Sequence, residues 1–270
     1  MRKQIFTLLI ICCFPFYGMA QTNEKISCEI LLNSKMLKPF EEISFVSSMD
    51  ITPDGFVLLS TDKQFYILGK GGMLPLSEKM QERINAFSIT TDNVLMFACG
   101  KELCYLDSIG KRSKLFDLPD NEMRLQAGAD VLYLYGKDKD KYVIYVLMQG
   151  AKYLTLLEYP APITSVLELE GNVLFAAGNK IILVDINGRK TDNLLILPNE
   201  NDSIISMTND FVHHTLYFST NHSVYRVKGK TVECISEDVG GILKYDGEGL
   251  LIFNNEEKYL VRLRNKILEK

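Results

Sequence analysis

Paired apolar runs, separated by two or three turn-forming residues, recur along the chain. The segment MFACGKELCYLDSIGKR (96–112) aligns without gaps on LFAAGNKIILVDINGRK (174–190) at an offset of 78 residues. It also aligns on LSTDKQFYILGKGGM (59–73) at an offset of 38, and YFSTNHSVYRVKGK (217–230) is a further copy, shifted by 43 from the 174 segment. A period of about 20 to 50 residues is typical of repeat folds. The pattern therefore predicts a repeat of about 40 residues.

Each copy is predicted to form a β-hairpin. Alternating or apolar runs on both sides of a short polar stretch indicate two antiparallel strands joined by a tight turn. Gly100, Gly178, Asp62 and Asn221 occupy the equivalent turn position, and these residue types tolerate a positive φ. We interpret the two runs as the second and third strands of the repeat.

Two further features flank the hairpins. An acidic residue followed by Gly or Asn, which favours a tight turn, precedes them in ITPDG (51–55), ITTDN (89–93), LELEG (167–171) and KYDGEG (244–249). Apolar runs that end in proline, as an edge strand allows, follow them in LFDLP (115–119), TLLEYP (155–160) and LLILP (194–198). Each repeat therefore has up to four strands.

Six such units follow one another. Their first strands are predicted to begin near Ile43, Ile84, Met123, Ile163, Ile204 and Ile242. Units of four short strands at this spacing are typical of the blades of a β-propeller. The predicted fold class is all-β, a β-propeller of six blades with about four antiparallel strands each, and five or seven blades are the alternatives.

The sequence also predicts how the ring closes. The last unit reaches Lys270 without a fourth strand, whereas KISCEILLNS (25–34) is β-competent and precedes the first unit. We expect this N-terminal strand to complete the last blade, because an open array would leave long strand edges free. In the first unit the place of the fourth strand falls near SEKMQERI (77–84), where a Ser N-cap and the composition favour a helical turn.

The chain resembles secreted six-bladed β-propellers of the NHL and YWTD-like kind over nearly all of its length. The residues that carry the resemblance are the turns at Asp54-Gly55 and Asp246-Gly247, together with the paired apolar runs. The chain has no Trp, no YWTD sequence and no WD dipeptide, so the subfamily is not assignable. The resemblance implies a fold and no particular activity.

The N-terminus has the pattern of a secretory signal peptide over residues 1–20. Arg2 and Lys3 precede an apolar stretch, and Gly18-Met19-Ala20 is a small-x-small cleavage site. Residues 21–270 are then a single propeller domain, exported to the periplasm, the cell surface or the medium. Lipidation at Cys12 or Cys13 is the competing interpretation. No apolar run is long enough to cross a bilayer.

Charge and composition narrow the partners. The chain has 30 basic and 34 acidic residues, a net charge of −4, and removal of the signal peptide would make it more negative. This balance disfavours a nucleic-acid or anionic-membrane partner. We expect a monomer that binds a protein or a small-molecule ligand.

Four cysteines remain after export. Cys99 and Cys104 flank a four-residue turn, and a disulfide between them is possible if they are direct cross-strand neighbours. The alternative is a pair of small buried thiols. Cys28 and Cys234 are predicted to lie on outer strands of neighbouring blades and to be unpaired.

The candidate metal ligands are better explained as turn residues. His213 and His214 are separated from His222 by a strand, which places them too far apart to share an ion. A series of acidic residues recurs by register and could form a calcium site, but turn formation explains the series more simply: Asp54, Asp92, Glu170, Asp210 and Asp246. We predict no cofactor and no metal, with calcium as the alternative.

The predicted function is binding without catalysis, at one face of the ring. In propellers the inner strands and the loops of one face form a concave site, and the expected channel-lining residues are Ser47, Ser48, Arg124, Ser165 and Ser206. No catalytic residue is predicted. The alternative is a propeller enzyme, a lyase or a metal-dependent hydrolase with its site at the central channel. A sensor or assembly factor is a third possibility, which an exposed apolar patch would favour.

Overall fold

The structure, a computed structural model, describes residues 26–33, 45–69, 72–107, 110–148, 152–185, 191–229 and 231–265. The predicted signal peptide, with Cys12 and Cys13, lies outside the described residues. The described part of the chain contains β-strands and no helix. It therefore has no helix that is long and apolar enough to cross a membrane. The all-β prediction is confirmed.

The strands form six four-stranded antiparallel sheets, the six blades of a β-propeller. Blade 1 consists of β2 (Val46–Ile51), β3 (Val57–Thr61), β4 (Phe65–Gly69) and β5 (Gly72–Pro75). Blade 2 consists of β6 (Ile84–Ile89), β7 (Leu95–Cys99), β8 (Glu102–Leu106) and β9 (Arg112–Asp117). Blade 3 consists of β10 (Arg124–Ala127), β11 (Leu132–Asp138), β12 (Lys141–Met148) and β13 (Lys152–Tyr159).

The other three blades repeat this order, except that the last one uses the first strand of the chain. Blade 4 consists of β14 (Ser165–Leu169), β15 (Asn172–Ala177), β16 (Lys180–Val184) and β17 (Thr191–Ile196). Blade 5 consists of β18 (Ser206–Asp210), β19 (Thr215–Ser219), β20 (Val224–Lys228) and β21 (Thr231–Ser236). Blade 6 consists of β22 (Ile242–Tyr245), β23 (Leu250–Asn254), β24 (Tyr259–Asn265) and β1 (Ile26–Leu32).

Strand β1 closes the ring, as predicted. It runs antiparallel to β24, from Ile26 opposite Asn265 to Leu32 opposite Leu260. Leu32 is fully buried in the core between blades 6 and 1. Further along the same two strands, Arg262 and Arg264 form ion pairs with Glu29 and with the acidic turn of blade 6, Asp246 and Glu248. Apolar burial and opposite charges therefore both hold the closing strand.

The second strand of each blade explains why the repeat was visible in the sequence. Strands β3, β7, β19 and β23 are buried at every position, because other strands flank them and neighbouring blades cover both of their faces. A strand buried on both faces appears as a continuous apolar run. The outer strands are more exposed, and β9 has no buried position.

Each junction between neighbouring blades has its own apolar core. Between blades 1 and 2 the rings of Phe65, Phe87 and Phe97 meet edge to face, with centroids 5.0 to 5.5 Å apart. The other five junctions have equivalent clusters. The core is therefore distributed around the ring, and the axis of the propeller is left open.

One element of blade 1 differs from the prediction. Its fourth strand is β5, at 72–75, and residues 76–83 are irregular and form no helical turn. Gly69 pairs with Gly72 in the register of β4 and β5, so the fourth strand follows closely on the third. Ser77 lies beside β4, where its backbone oxygen accepts a hydrogen bond from Gln64 Nε2. Ser77, the predicted helix N-cap, therefore lies in this irregular connection and contacts β4 instead.

Candidate functional site

A cavity of about 690 Å³ lies on the axis of the propeller. Its walls are the six inner strands, which are the first strands of the blades, and the turns that join them to the second strands. We call the end of the ring with these turns the turn face. The structure places all five predicted channel residues in the lining of this cavity: Ser47, Ser48, Arg124, Ser165 and Ser206.

Most of these serines also join neighbouring blades. An inner strand has an edge that no further strand covers, so its N–H groups need other acceptors. Side-chain oxygens of the preceding blade accept them in six pairs: Ser48 from Phe87 N (2.9 Å), Asp50 from Ile89 N (2.9 Å), Ser88 from Ala127 N (3.0 Å), Ser165 from Met207 N (3.2 Å), Ser206 from Leu243 N (3.0 Å) and Thr208 from Tyr245 N (3.2 Å).

The six acceptors occupy two equivalent positions of the inner strands. These bonds therefore define two levels along the channel. The Arg124 level consists of Ser48, Ala86, Arg124, Ser165, Ser206 and Ile242. The Asp50 level lies two residues nearer the turn face, and consists of Asp50, Ser88, Gln126, Leu167, Thr208 and Lys244. At about 3.3 Å per residue the two levels are about 7 Å apart.

Asp50 is the centre of a buried polar cluster that joins three blades. Its Oδ1 lies 2.6 Å from Lys244 Nζ of blade 6. Its Oδ2 accepts hydrogen bonds from Ser88 Oγ (3.0 Å) and from the backbone N–H of Ile89, both in blade 2. The carboxylate is almost fully buried, and it meets the requirement that a buried charge be paired and hydrogen-bonded. The sequence reasoning missed Asp50 and Lys244, because it considered acidic residues only in turns.

Arg124 extends across the channel at the end away from the turn face. One terminal nitrogen donates to the backbone oxygen of Thr164 in blade 4 (3.2 Å), and the other to that of Ser47 in blade 1 (3.3 Å). The guanidinium carbon is 6.0 Å from the centroid of the Tyr135 ring, a distance at which cation and ring attract each other. No carboxylate of the described residues forms an ion pair with it, and its buried Nε has no acceptor there.

Two carboxylates lie in the lining near the turn face. Glu168 accepts hydrogen bonds from the Tyr133 hydroxyl (3.0 Å) and from the backbone N–H of Ala129 (3.2 Å). Burial, with the charge of Glu168 as a second cause, raises the pKa of Tyr133. Glu170 Oε1 lies 2.6 Å from His214 Nδ1, and both side chains are exposed at the rim. We call the end of the cavity away from the turn face its inner end, and the opening at the turn face its mouth. The inner end is therefore basic and the mouth is acidic.

Two of the acidic residues predicted to form turns accept backbone N–H groups of their own turns. Asp246 Oδ1 accepts the N–H groups of Glu248 and Gly249. Asp210 Oδ1 accepts those of Val212 and His213.

Asp210 is also paired with a histidine side chain. His213 Nδ1 lies 2.6 Å from Asp210 Oδ2. Burial acts to raise the pKa of Asp210, but hydrogen bonds from the side chain and backbone of His213 outweigh it and hold the pKa below its usual value.

Within the described ranges, no group of three His, Cys, Asp or Glu side chains could hold a metal ion. The absence of a cofactor stays a prediction.

Cys99 and Cys104 are not direct cross-strand neighbours, so the condition given for a disulfide between them is not met. In the register of β7 and β8, Cys99 lies opposite Glu102 and Cys104 lies opposite Phe97. The two cysteines are diagonal neighbours on one face, and both are buried free thiols. Burial is the main cause that raises the pKa of Cys99 to about 11. A thiol in this state is a poor nucleophile near neutral pH.

Cys28 and Cys234 lie on the outer strands β1 and β21 of neighbouring blades, as predicted, and both are free thiols.

The fold has clear counterparts among solved structures. A catalytically inactive histidine-to-alanine variant of virginiamycin B lyase from Staphylococcus aureus, solved with quinupristin, matches with a TM-score of 0.62 and 13% identity, over 81% of this chain and 80% of that one. A gluconolactonase from Xanthomonas campestris matches with a TM-score of 0.69 and 10% identity, over 82% and 86%.

A third counterpart is an extracellular domain. It belongs to a candidate one-component system of Bacteroides thetaiotaomicron and matches with a TM-score of 0.58 and 13% identity, over 81% of this chain and 32% of that one. No family model and no curated protein matches the sequence. At these identities the likeness shows a propeller fold shared by lyases, lactonases and extracellular domains, and fold alone does not determine function.

Proposed function

We propose that this protein is an exported propeller that binds a small ligand in its central cavity without transforming it. The observation that carries the proposal is the cavity itself. Its volume of about 690 Å³ is typical of small-molecule sites, which are concave, mostly apolar and equipped with a few polar groups. Here apolar residues such as Ala86 and Ile242 lie beside hydroxyls and amides in the lining.

The state of the ionisable groups supports binding over catalysis. Asp50 and Lys244 neutralise each other and join blades, and Glu168 is committed to a tyrosine hydroxyl and a backbone N–H. A general acid or base needs a free proton position near a reacting atom. Inside the cavity the described carboxylates have structural partners, so we assign this part of the site to recognition.

The N-terminal sequence supports the proposal of export. The basic residues, apolar stretch and small-x-small site of residues 1–20 have the pattern of a signal peptide, and one structural counterpart is an extracellular domain. We therefore place the protein in the periplasm or at the cell surface, as a monomer whose partner is a small molecule. Detection of the processed N-terminus, by mass spectrometry of the protein recovered outside the cytoplasm, tests this placement.

Ligand-observed NMR tests the binding proposal. The probe is a library of fluorinated fragments containing acids, amides and alcohols, and the readout is ¹⁹F transverse relaxation with and without protein. Gln126→Trp places a large ring in the cavity lining, whereas Gln81→Trp adds the same ring at an exposed position in the connection between blades 1 and 2. Fragments that bind the wild type and Q81W but not Q126W support a cavity site. If no fragment binds, or if Q126W binds as the wild type does, the proposal is wrong.

A second candidate function is a lyase or hydrolase with its site at the mouth of the cavity. The specific observation is the contact of His214 Nδ1 with Glu170, because a carboxylate on one ring nitrogen orients the other nitrogen as a base. The propeller lyase described above is inactive when a histidine is replaced by alanine. Glucono-δ-lactone hydrolysis in a pH-stat and mass spectrometry of quinupristin test this candidate. Turnover that His214→Ala abolishes would replace the binding proposal with an enzyme.

A further inference from the structure

Among the described residues, Arg124 has no counter-ion at the inner end of the cavity. Its guanidinium contacts two backbone carbonyls and a tyrosine ring, and no carboxylate of the described chain forms an ion pair with it. The other members of the Arg124 level are serine, alanine and isoleucine residues. The acidic side chains that lie on or near the channel are at the Asp50 level or closer to the turn face.

The same level provides hydroxyl donors. Ser165 Oγ accepts the N–H of Met207, and Ser206 Oγ accepts that of Leu243. A serine hydroxyl carries one hydrogen in addition to its lone pairs, and the contacts of these two serines assign that hydrogen to no acceptor in the described structure. Both serines retain a small exposed fraction of 8% and line the cavity. The level is therefore rich in donors and poor in acceptors.

From this arrangement we infer that Arg124, Ser165 and Ser206 form a carboxylate subsite at the inner end of the cavity. The inference rests on the proposed binding function and names its ligand class, a small organic acid. Arginine binds carboxylates through parallel N–H donors, and such charge-assisted bonds are the strong class of hydrogen bond. The body of the acid lies along the channel, beside Gln126 and Thr208, and points toward the turn face.

The charge distribution along the channel sets the orientation of the ligand. Glu168 and Glu170 lie near the mouth, so they disfavour an anionic group there, whereas Arg124 attracts it at the other end. An acid with one carboxylate and a neutral or cationic tail fits both ends. A dicarboxylate of the same length places one charge beside the glutamates and binds less well.

A matched pair of probes isolates the charge. Benzoate and benzamide have nearly the same shape, and they differ in that one is anionic. Each is titrated at constant ionic strength into ¹⁵N-labelled protein, and the Nε–H cross-peak of Arg124 is followed by NMR. Benzoate is expected to shift this peak in a saturable way, and benzamide is expected to leave it unchanged over the same concentrations.

Variants of Arg124 provide the second measurement. Benzoate binding to the variants is followed through backbone amide cross-peaks, which all of them retain. Arg124→Gln should weaken this binding by about tenfold to a hundredfold, because a charged hydrogen bond is lost. Arg124→Lys keeps the charge without the planar donors and should fall between the two. Lys101→Gln removes the same charge from an exposed turn and should not change binding. Circular dichroism checks the fold, and R124K remains informative if R124Q does not fold.

The outcomes separate the subsite from the binding function. If benzoate and benzamide bind equally, or if R124Q and R124K bind benzoate as the wild type does, the carboxylate subsite is wrong although the cavity still binds small molecules. If neither probe binds and the fluorinated library also fails, the binding function is wrong and the subsite falls with it. Selective binding of benzoate that depends on Arg124 supports both.

Discussion

Removal of the Asp50 carboxylate should destabilise the propeller more than any change to an exposed acid of the same blade. Asp50→Ala leaves the Lys244 ammonium without its partner at 2.6 Å, and it leaves the Ser88 hydroxyl and the Ile89 N–H without an acceptor. Removal of one partner from a buried ion pair costs about 3 to 5 kcal/mol. The Lys244 side chain is 24% exposed and regains some hydration, so we expect the lower end, about 3 kcal/mol.

Urea denaturation measures this loss as a change in the free energy of unfolding. The chain contains no Trp but has 13 Tyr, so far-UV circular dichroism and tyrosine fluorescence are the two probes. Asp54→Ala is the matched control, because it removes the same charge from an exposed turn of blade 1. It should change stability by no more than about 0.5 kcal/mol.

A double variant separates the ion pair from general damage to the inner strand. Asp50→Leu combined with Lys244→Met replaces both charges by apolar groups, which is often close to neutral for a buried pair. The double variant should therefore be more stable than Asp50→Ala. The reasoning is refuted if D50A unfolds at the same urea concentration as D54A, or if the double variant is less stable than D50A.

Three further predictions concern the closing strand, acid stability and thiol reactivity. Leu32→Ala should lower the free energy of unfolding by about 2 to 5 kcal/mol, because Leu32 is fully buried. Ile30 is 64% exposed on the same strand, and Ile30→Ala should lower it by less than about 0.5 kcal/mol. Equal urea midpoints for the two variants would contradict closure by β1. The pKa of Asp210 is lowered in the folded state, so its carboxylate adds stability above the unfolded pKa. This stability is lost as the pH falls through the folded pKa. Asp210→Asn should therefore lose less stability than the wild type between neutral pH and about pH 2, as measured by urea midpoints across pH. Iodoacetamide should label Cys28 in the folded protein but Cys99 only after unfolding, because Cys99 is buried and its pKa is raised to about 11. Peptide mass spectrometry distinguishes the two labelled cysteines. Labelling of Cys99 in the native protein would contradict its burial.

Several features of the fold could be predicted because they repeat. Strands β7 and β15 are buried on both faces, and the turns after them contain Gly100 and Gly178 at φ +56° and +58°. These local requirements recur in successive blades at a spacing of about 40 residues, so one chain shows the same pattern several times. The closing strand was predictable for a related reason, since a β-competent segment without a unit and a unit without its fourth strand explain each other.

The candidate site was only partly predictable. Ser165 and Ser206 follow the register of the inner strands, and this register can be counted along the sequence. Asp50 could not be recognised in this way, because its partners lie 38 and 39 residues ahead in blade 2 and near the C-terminus in blade 6. The relation of Cys99 to Cys104 also depended on the register of one hairpin, in which a shift of one residue decides whether two side chains are opposite or diagonal.

The sequence by itself determined the repeat and the strand that closes the ring, and it favoured six blades over five or seven, because each depends on local patterns of apolar residues and turns. The tertiary structure alone decided which polar groups meet on the axis. Closure of the ring brings residues of blades 1, 2 and 6 around one carboxylate, and it places the Arg124 guanidinium across a channel between blades 1 and 4. These meetings follow from the curvature of the whole ring, which no single repeat encodes.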